Sequence, residues 1–377
     1  MDFSFPEEQE MLRTLARDFL AEVCPKAKVR ELEKDEKGYD PQIWHRMAEL
    51  GWMGLVFPEE YGGAGAGFVE LAVLMEEMGR NILPGPFFST VALCALPMLE
   101  YGTAEQRAKF LPQIAKGEAI WALAFTESSG SYKALEIRFH ASLEGEDYVL
   151  EGDKSFVSDA HIADYLLVVA RTADEKDPEE GITLFVVDAK DPALRVEVVP
   201  TIAGDRQCQV SFDKVRVPKR NILGDVNQGW SIVDFALQRA AILKCAEISG
   251  ACQAVLDMTS AYAKERVQFD RPIGSFQAVQ NKLADMLIDV EGIHYLLYQA
   301  AWGISVGSPS RLRISIAKAK ASEAYQRICV DGITAHGAIG FTMDHDIGLY
   351  YRRVRAAEFA AGNTDLHRET IAIELGL

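Results

Sequence analysis

The stretch Glu265-Arg266-Val267-Gln268-Phe269-Asp270-Arg271-Pro272-Ile273-Gly274-Ser275-Phe276-Gln277-Ala278-Val279-Gln280 decides how the chain is organised. Its first five residues end a long helical pattern, Pro272 and Gly274 break that pattern, and Ser275 is a suitable N-cap for a second helix. The spacing predicts a helix, a corner and a helix. Two guanidinium groups, Arg266 and Arg271, stand at the corner beside the Phe269 ring and a fresh helix N-terminus, with Arg271 placed to pair with Asp270 and leave Arg266 free. Such a set suits a phosphate or diphosphate, because guanidinium forks and unsatisfied N–H groups both favour an anion. Two arginines near a helix start also describe an ordinary solvated surface, so the corner by itself leaves both readings open.

Outward from the corner, residues 230–269 and 276–306 are long helical patterns, followed by 310–332 and a C-terminal stretch. Four helices of that length bury one another as a bundle. The first third is helical too. Ser4-x-x-Glu7 reads as a capping box, and Leu12, Leu15, Ala16, Phe19 and Leu20 follow on one face. Another helix opens at Pro41, and others cover 68–78 and 89–99, with Leu83-Pro84-Gly85-Pro86 as the joint between the last two. From residue 120 to about 217 the pattern becomes short β-rich runs, at 121–125, 148–150, 166–170, 183–187 and 196–199, separated by glycine and acidic clusters. The expected class is α+β multidomain: an all-α N-terminal domain over residues 1–118, a central antiparallel β domain over 119–225 and a C-terminal four-helix bundle over 226–377.

At 377 residues, 49% hydrophobic and 25% charged, the chain can bury a large core in two or three domains, as a soluble enzyme subunit does. Its net charge of -17 repels nucleic acid and anionic membrane surfaces at long range. The six cysteines, Cys24, Cys94, Cys208, Cys245, Cys252 and Cys329, form no Cys-x-x-Cys pair and no metal-like spacing with histidine, so no metal is expected and they read as thiols of a reducing cytoplasm. The start, Met1-Asp2-Phe3-Ser4, lacks a basic and an apolar signal region, and no run approaches the length of a membrane span.

The corner resembles the Arg-x-x-Phe-Gly…Phe-Gln-x-x-Gln unit of the acyl-CoA dehydrogenase family, with Asp270 in place of the glycine. Other stretches resemble that family in its order. They are Pro58-Glu59-Glu60-Tyr61-Gly62-Gly63, Thr126-Glu127-Ser128-Ser129-Gly130-Ser131, Phe156-Val157-Ser158 and Thr334-Ala335-His336-Gly337-Ala338-Ile339-Gly340. The Leu83–Pro86 joint resembles a subgroup that includes heteromeric enzymes for steroid side-chain and other bulky or cyclic acyl-CoAs. The resemblance implies FAD as cofactor, with Arg266 and Phe269 reaching the flavin of a neighbouring subunit and Thr126, Ser131, Phe156, Ser158, Gln277, Gly337 and Asn363 also at the cofactor. It implies an acyl-CoA substrate met by Arg368, an electron-transfer flavoprotein or similar acceptor, and a homo- or hetero-oligomer, dimer or tetramer, built through the C-terminal bundle. CoA is polyanionic, so an acidic chain needs a local basic pocket for it. Several departures weaken the cofactor motifs: Thr334 and Ala338 replace a glutamine and a glycine, and the first flavin loop lacks its proline and final aspartate.

The family removes the substrate α-proton with a carboxylate, while hydrogen bonds to the thioester carbonyl stabilise the developing enolate. Most members place that base in a Tyr-Glu-Gly-Thr segment, and the matching residues here are Ala360-Ala361-Gly362-Asn363. The base position therefore holds Ala361. Other members use the long helix before the corner, where the match falls on Gln238 or Ala240 depending on how the helix is aligned. Neither is a carboxylate. Glu247 lies two turns beyond Gln238 and is the remaining candidate, with Glu358 and Asp365 flanking the other site. Three readings follow: a FAD-dependent acyl-CoA dehydrogenase with an unusual or shared base, a degenerate partner subunit, and a non-oxidative acyl-CoA enzyme on the same fold.

Overall fold

The computed structural model describes residues 5–377. Helices and strands run in the order α1 (Glu7–Val23), α2 (Lys26–Leu32), α3 (Pro41–Glu49), α4 (Phe68–Asn81), α5 (Leu96–Tyr101), α6 (Ala104–Ala115), β1 (Trp121–Ala124), β2 (His140–Glu144), β3 (Asp147–Ser158), β4 (Tyr165–Arg171), β5 (Ile182–Asp188), β6 (Leu194–Val199), β7 (Gln207–Pro218), β8 (Ile222–Leu223), α7 (Trp230–Glu265), β9 (Val267–Gln268), β10 (Arg271–Pro272), α8 (Gln277–Ser305), α9 (Arg311–His336), α10 (Ile347–Phe359) and α11 (Thr364–Glu374). The Ser4 half of the expected capping box lies outside the described residues, and Pro6 occupies the N-cap position of α1. Two compact units share the chain. One comprises Leu32–Ala66 and Pro84–Ala240, and the other comprises the residues up to Glu31, Gly67–Leu83 and Ala241–Leu377.

The first unit is built on an eight-stranded sheet ordered β6-β7-β3-β2-β4-β5-β8, with β1 alongside β4. Alternation along β4 divides two cores. Leu167 and Val169 join Trp121, Phe110 and Ile114 on the helical face, whereas Leu166, Val168 and Ala170 join Leu150, Val210 and Phe212 on the other. The sheet is mixed, not wholly antiparallel, because β1 pairs with β4 in parallel through Trp121↔Tyr165 and β2 meets β4 in parallel at His140↔Arg171. A parallel neighbour needs a long crossover, and the 40 residues between Ala124 and Tyr165 supply it through the β2–β3 hairpin. Residues 89–99 are not one regular helix either, since Phe88–Ala95 is π-helical and continues into α5.

In the second unit α4 and α7 cross at backbone contact. A Cβ added at Gly79 would lie 1.9 Å from the carbonyl oxygen of Glu247, and one at Gly250 would lie 1.8 Å from that of Glu76. Buried carboxylates of α4 tie it to its neighbours: Glu77 pairs with Arg17 of α1 at 2.7 Å, and Glu76 accepts from Ser249 of α7 and Tyr298 of α8 at 2.7 and 2.8 Å. Burial disfavours a charged Glu76, but hydrogen bonding from His294 and Ser249 outweighs it and holds this carboxyl below its ordinary range. The helices α7, α8 and α9 are as long as the sequence predicts. The fourth, C-terminal helix is not continuous. It is divided into α10 and α11, because Ala361 and Gly362 both take positive φ (56° and 99°) and Asn363 then caps α11 by accepting from Leu366 N–H at 3.0 Å.

A methyl group at the α4–α7 crossing has no space to occupy. Gly79→Ala is therefore expected to lower unfolding stability by about 1–3 kcal/mol, the usual scale for overpacking, and urea denaturation of the variant against the parent measures it.

Candidate functional site

Thr126, Ser131, Phe156 and Ser158 belong to the first unit, and β3 brings them together. Two register shifts interrupt its pairing with β7, the second between Lys154 and Val157. Inside that second bulge Phe156 adopts φ +56° and its ring is turned outward, 53% exposed. Gly130 of the preceding loop lies against the edge of the ring, a Cβ there being 3.9 Å from Phe156 Cε2. Thr126 is zipped to β3: its hydroxyl donates to Ser155 O at 2.5 Å and its carbonyl accepts from Ser155 N–H at 2.9 Å. That hydroxyl proton is committed to the backbone. Ser131 Oγ accepts from Lys133 N–H at 3.2 Å, while the Gln207 amide holds the Ser158 hydroxyl, which accepts from Gln207 Nε2 at 3.0 Å and donates to Gln207 Oε1 at 3.3 Å. The loop is anchored from beneath. The wholly buried Lys154 ammonium donates to Phe125 O and to Glu127 Oε1, each at 2.9 Å, and Glu127 accepts from the N–H groups of Arg138 and Phe139. Burial lowers Lys154 to about 8 against the pull of Glu127.

Apart from Gln238 and Ala240 of the first unit, the remaining candidates lie in the second. The corner is tighter than two helices meeting. The strands β9 and β10 form a two-residue hairpin, with Arg271↔Gln268 paired and both turn residues, Phe269 and Asp270, at positive φ (53° and 64°). Ser275 does not cap α8. Its hydroxyl donates to Pro272 O, and Phe276 holds the N-cap position without a side-chain bond, because the hairpin carries the chain one residue further before helix begins. Arg271 does not pair with Asp270, since its guanidinium lies over the Phe276 ring at 4.2 Å. Arg266 is exposed and has no ion pair among the described residues, and the Phe269 ring beside it is 85% exposed. Gln277 opens α8, also exposed.

Stacking of Tyr262 on His336 at 4.5 Å draws the end of α7, and with it the corner, to the end of α9, where Gly337 turns at φ +66°. No atom lies within 4 Å of a Cβ position there, so the glycine leaves open space beside the backbone. Thr334, in the place of a glutamine, turns its hydroxyl back onto Val330 O at 2.7 Å and does not reach outward.

Around the expected base, Ala361 is buried and the break between α10 and α11 is held from two sides. Lys318 Nζ donates to Gly362 O at 3.1 Å, and His367 Nε2 donates to Ala361 O at 3.1 Å. Gly362 N–H bonds Phe359 O and Ala360 N–H bonds Ala356 O. Ala361 N–H has no acceptor among the described residues. Asn363 spends its carbonyl oxygen on the α11 cap, and Arg368 pairs at the surface with Glu323 and, at 3.9 Å, with Asp365. Such an exposed pair is worth at most about 1 kcal/mol and yields readily to a phosphate. Among the other base candidates, Ala240 is fully buried and Gln238 donates to Asp234 at 2.6 Å. Glu247 is held by Lys244 at 2.5 Å, and Glu358 by Arg355, also at 2.5 Å. Asp234, Lys318 and His367 were not singled out from sequence. A carboxylate one turn before Gln238 is visible as a helical i, i+4 pair, whereas the two cations act through the fold alone.

Comparison with known proteins decides the family. The descriptions "Acyl-CoA dehydrogenase, N-terminal domain", "middle domain" and "C-terminal domain" match residues 6–118, 122–215 and 227–376. The chain belongs to the acyl-CoA dehydrogenase family. It is 33% identical to the probable acyl-CoA dehydrogenase YngJ of Bacillus subtilis (strain 168), with all of both chains covered. The butyryl-CoA dehydrogenase of Megasphaera elsdenii has a similar structure, with a TM-score of 0.92 at 28% identity and all of both chains covered. A chain of the ChsE4-ChsE5 complex from Mycobacterium tuberculosis superposes with a TM-score of 0.91 at 28% identity, covering 100% of this chain and 99% of that one. Acyl-CoA dehydrogenases are FAD-dependent oxidoreductases acting on CH–CH bonds. Each unit by itself offers groups that fit the cofactor: in the first an outward aromatic ring at Phe156, and in the second an unpaired guanidinium at Arg266 and open backbone at Gly337. Among the described residues no helix is long and apolar enough to cross a membrane.

The Lys154 anchor has a pH signature. Lys154 releases its proton near 8 in the fold and near 10.5 when unfolded, so between those values the unfolded chain holds more protons and stability rises with pH. The penalty of burying the ammonium is present in full below 8 and relieved above it. The stability of the parent relative to Lys154→Met is therefore expected to increase from pH 8 to 10, as urea denaturation at each pH will measure.

Proposed function

We propose that this chain is one subunit of an acyl-CoA dehydrogenase, binding FAD and a CoA thioester, in an assembly where a second type of chain supplies what its own site lacks. The observation that carries the reading is Ala361: buried, held in a left-handed conformation, its N–H without an acceptor and its side chain a methyl group. That N–H polarises a thioester carbonyl and acidifies the α-carbon, as a preorganised donor does in a water-poor site. FAD, when bound, supplies the hydride acceptor for the β-carbon. Phe156 would cover the ring system from water, Ser158 would turn its hydroxyl from Gln207 to an edge of that ring, and Arg266 would neutralise the diphosphate of the flavin held by a neighbouring subunit. No group at position 361 accepts the α-proton, and Gln238 and Ala240 offer none. The complex of ChsE4 with ChsE5, to which the chain is similar, supports a heteromeric assembly, and the C-terminal helices are the surface expected to build it. A cytoplasmic site of action, an electron-transfer flavoprotein as acceptor, and a bulky or cyclic acyl group complete the reading.

Replacing the missing base tests it. Ala361→Glu is expected to raise turnover of saturated acyl-CoA, with an artificial electron acceptor, by about 10²–10⁴ over the parent chain alone, the usual worth of general base catalysis. Brisk turnover by the parent with no gain in the variant would sink the proposal, and would turn attention to Asp234, the carboxylate bonded to Gln238.

A second reading, a partner subunit that has also lost its flavin, draws on Asp270. This carboxylate stands where the family has glycine, exposed, without an ion pair among the described residues, on the hairpin that carries Arg266. Like charge near the diphosphate weakens binding, and φ +64° suits glycine. Asp270→Gly is expected to tighten FAD binding by about tenfold, roughly 1.4 kcal/mol, in a titration followed by flavin absorption. No flavin bound by either protein at excess FAD favours the second reading.

A further inference from the structure

Lys318 is the least expected buried group in the molecule. Its side chain is 0% exposed, yet its partners include no carboxylate: Nζ lies 2.9 Å from Ser322 Oγ, 3.2 Å from Ala357 O, 2.8 Å from Glu358 O and 3.1 Å from Gly362 O. The Glu358 carboxylate is turned away to Arg355. A desolvated cation surrounded only by dipoles is expensive to keep, and the last carbonyls of α10 are the dipoles that suit it best. Across the same break, His367 Nδ1 faces Ser315 Oγ at 3.2 Å and Nε2 faces Ala361 O at 3.1 Å. A carbonyl only accepts, so the proton is on Nε2, and a neutral imidazole serves both contacts. Burial, with the nearby Lys318 charge, pushes His367 down to about 4, which keeps it neutral.

We propose that Lys318 and His367 are positioning residues for the thioester, fixing the peptide carbonyls of Gly362 and Ala361 so that Ala361 N–H stays unbonded and aimed at the ligand. Four neighbouring groups of the turn are committed: Ala361 O to His367, Gly362 O to Lys318, Gly362 N–H to Phe359 O and Ala360 N–H to Ala356 O. Alanine at φ +56° is strained, and the strain persists only because these bonds over-determine the turn. Relaxed to an ordinary helix end, the same N–H would bond a carbonyl of α10 and be lost to a ligand.

The inference rests on the thioester-binding reading above, and the experiment separates the two. The full-length protein is mixed with butyryl-CoA carrying ¹³C at the thioester carbonyl, and the carbonyl stretch of the bound ligand is recorded by isotope-edited infrared difference spectroscopy. In the parent the band moves to lower frequency on binding. In Lys318→Met, shown folded by circular dichroism, that downshift is lost and affinity falls about three- to tenfold, the scale of one hydrogen bond. His367→Leu loses the downshift, whereas His367→Gln, which keeps a donor for Ala361 O, retains it, and this pair decides the matter if Lys318→Met does not fold. A downshift that survives in Lys318→Met, or in His367→Leu, overturns the positioning role while leaving thioester binding intact. A parent that binds the thioester without any downshift, or not at all, overturns both.

Discussion

An ammonium group taken out of water must be surrounded by acceptors, and the placement of those acceptors around Lys318 governs the C-terminal part of the molecule. One is on its own helix, two are the last carbonyls of α10 and the fourth is Gly362 beyond the break. The last carbonyls of a helix have no partners within it. Satisfying them from a neighbouring helix sets where α10 stops, and the chain then reverses through two left-handed residues and starts α11 on the Asn363 cap. The same hydrogen bonds that bury the charge therefore shape the turn that carries Ala361.

Nothing local in Ala360-Ala361-Gly362-Asn363 announces this. Asn363 is a fair helix start and Gly362 a fair helix end, but the cation that holds them is more than 40 residues earlier on α9. The C-terminal stretch stands in sequence as the fourth member of the bundle, and tertiary bonding divides it into two helices. The corner at residues 266–276 was obscured in a different way. A two-residue hairpin usually advertises itself with Asn-Gly or Asp-Gly, whereas here Phe-Asp takes both positive-φ positions, so the sequence reads as a plain helix break. Where burial is one-dimensional the sequence is far more legible. The lengths of α7, α8 and α9 follow from the apolar repeat, and β4 and β5 stand out as apolar runs covered on both faces. The strand β7 alternates between buried and partly exposed positions and has no such run to mark it in the sequence.

The candidate cofactor residues were located by resemblance, and side-chain direction is what the structure adds. Phe156 presents its ring only because a bulge in β3 gives it a left-handed backbone. Thr126 and Thr334 keep the hydroxyls that sequence comparison would count as available, but both bond backbone carbonyls instead. Arg271 prefers an aromatic face to the adjacent carboxylate, and exposed Asp270 gains little from a single neighbouring cation in water. Matching residue types is thus a weaker statement than matching free donors. The set that remains free is smaller, because Ser158 too is bonded to the Gln207 amide: it is Arg266 and the N–H of Ala361.

Losing the carboxylate at position 361 and keeping the turn are separable events, because one residue serves the reaction through two different atoms. Its side chain would take the proton, and its backbone N–H polarises the carbonyl that makes the proton acidic. General base catalysis is worth about 10²–10⁴ in rate, and one preorganised donor about 10²–10³. The two are comparable, so a chain that retains only the donor is neither inert nor sufficient. On the proposed reading it binds and acidifies a thioester, and its shortfall is specific: a carboxylate within about 2.6–3.2 Å of the α-proton's path. That requirement is narrow enough to name what any completing subunit must bring. The same proposal gives a strained alanine and a buried lysine a reason to persist in a site without a base, since in it both serve the atom that remains.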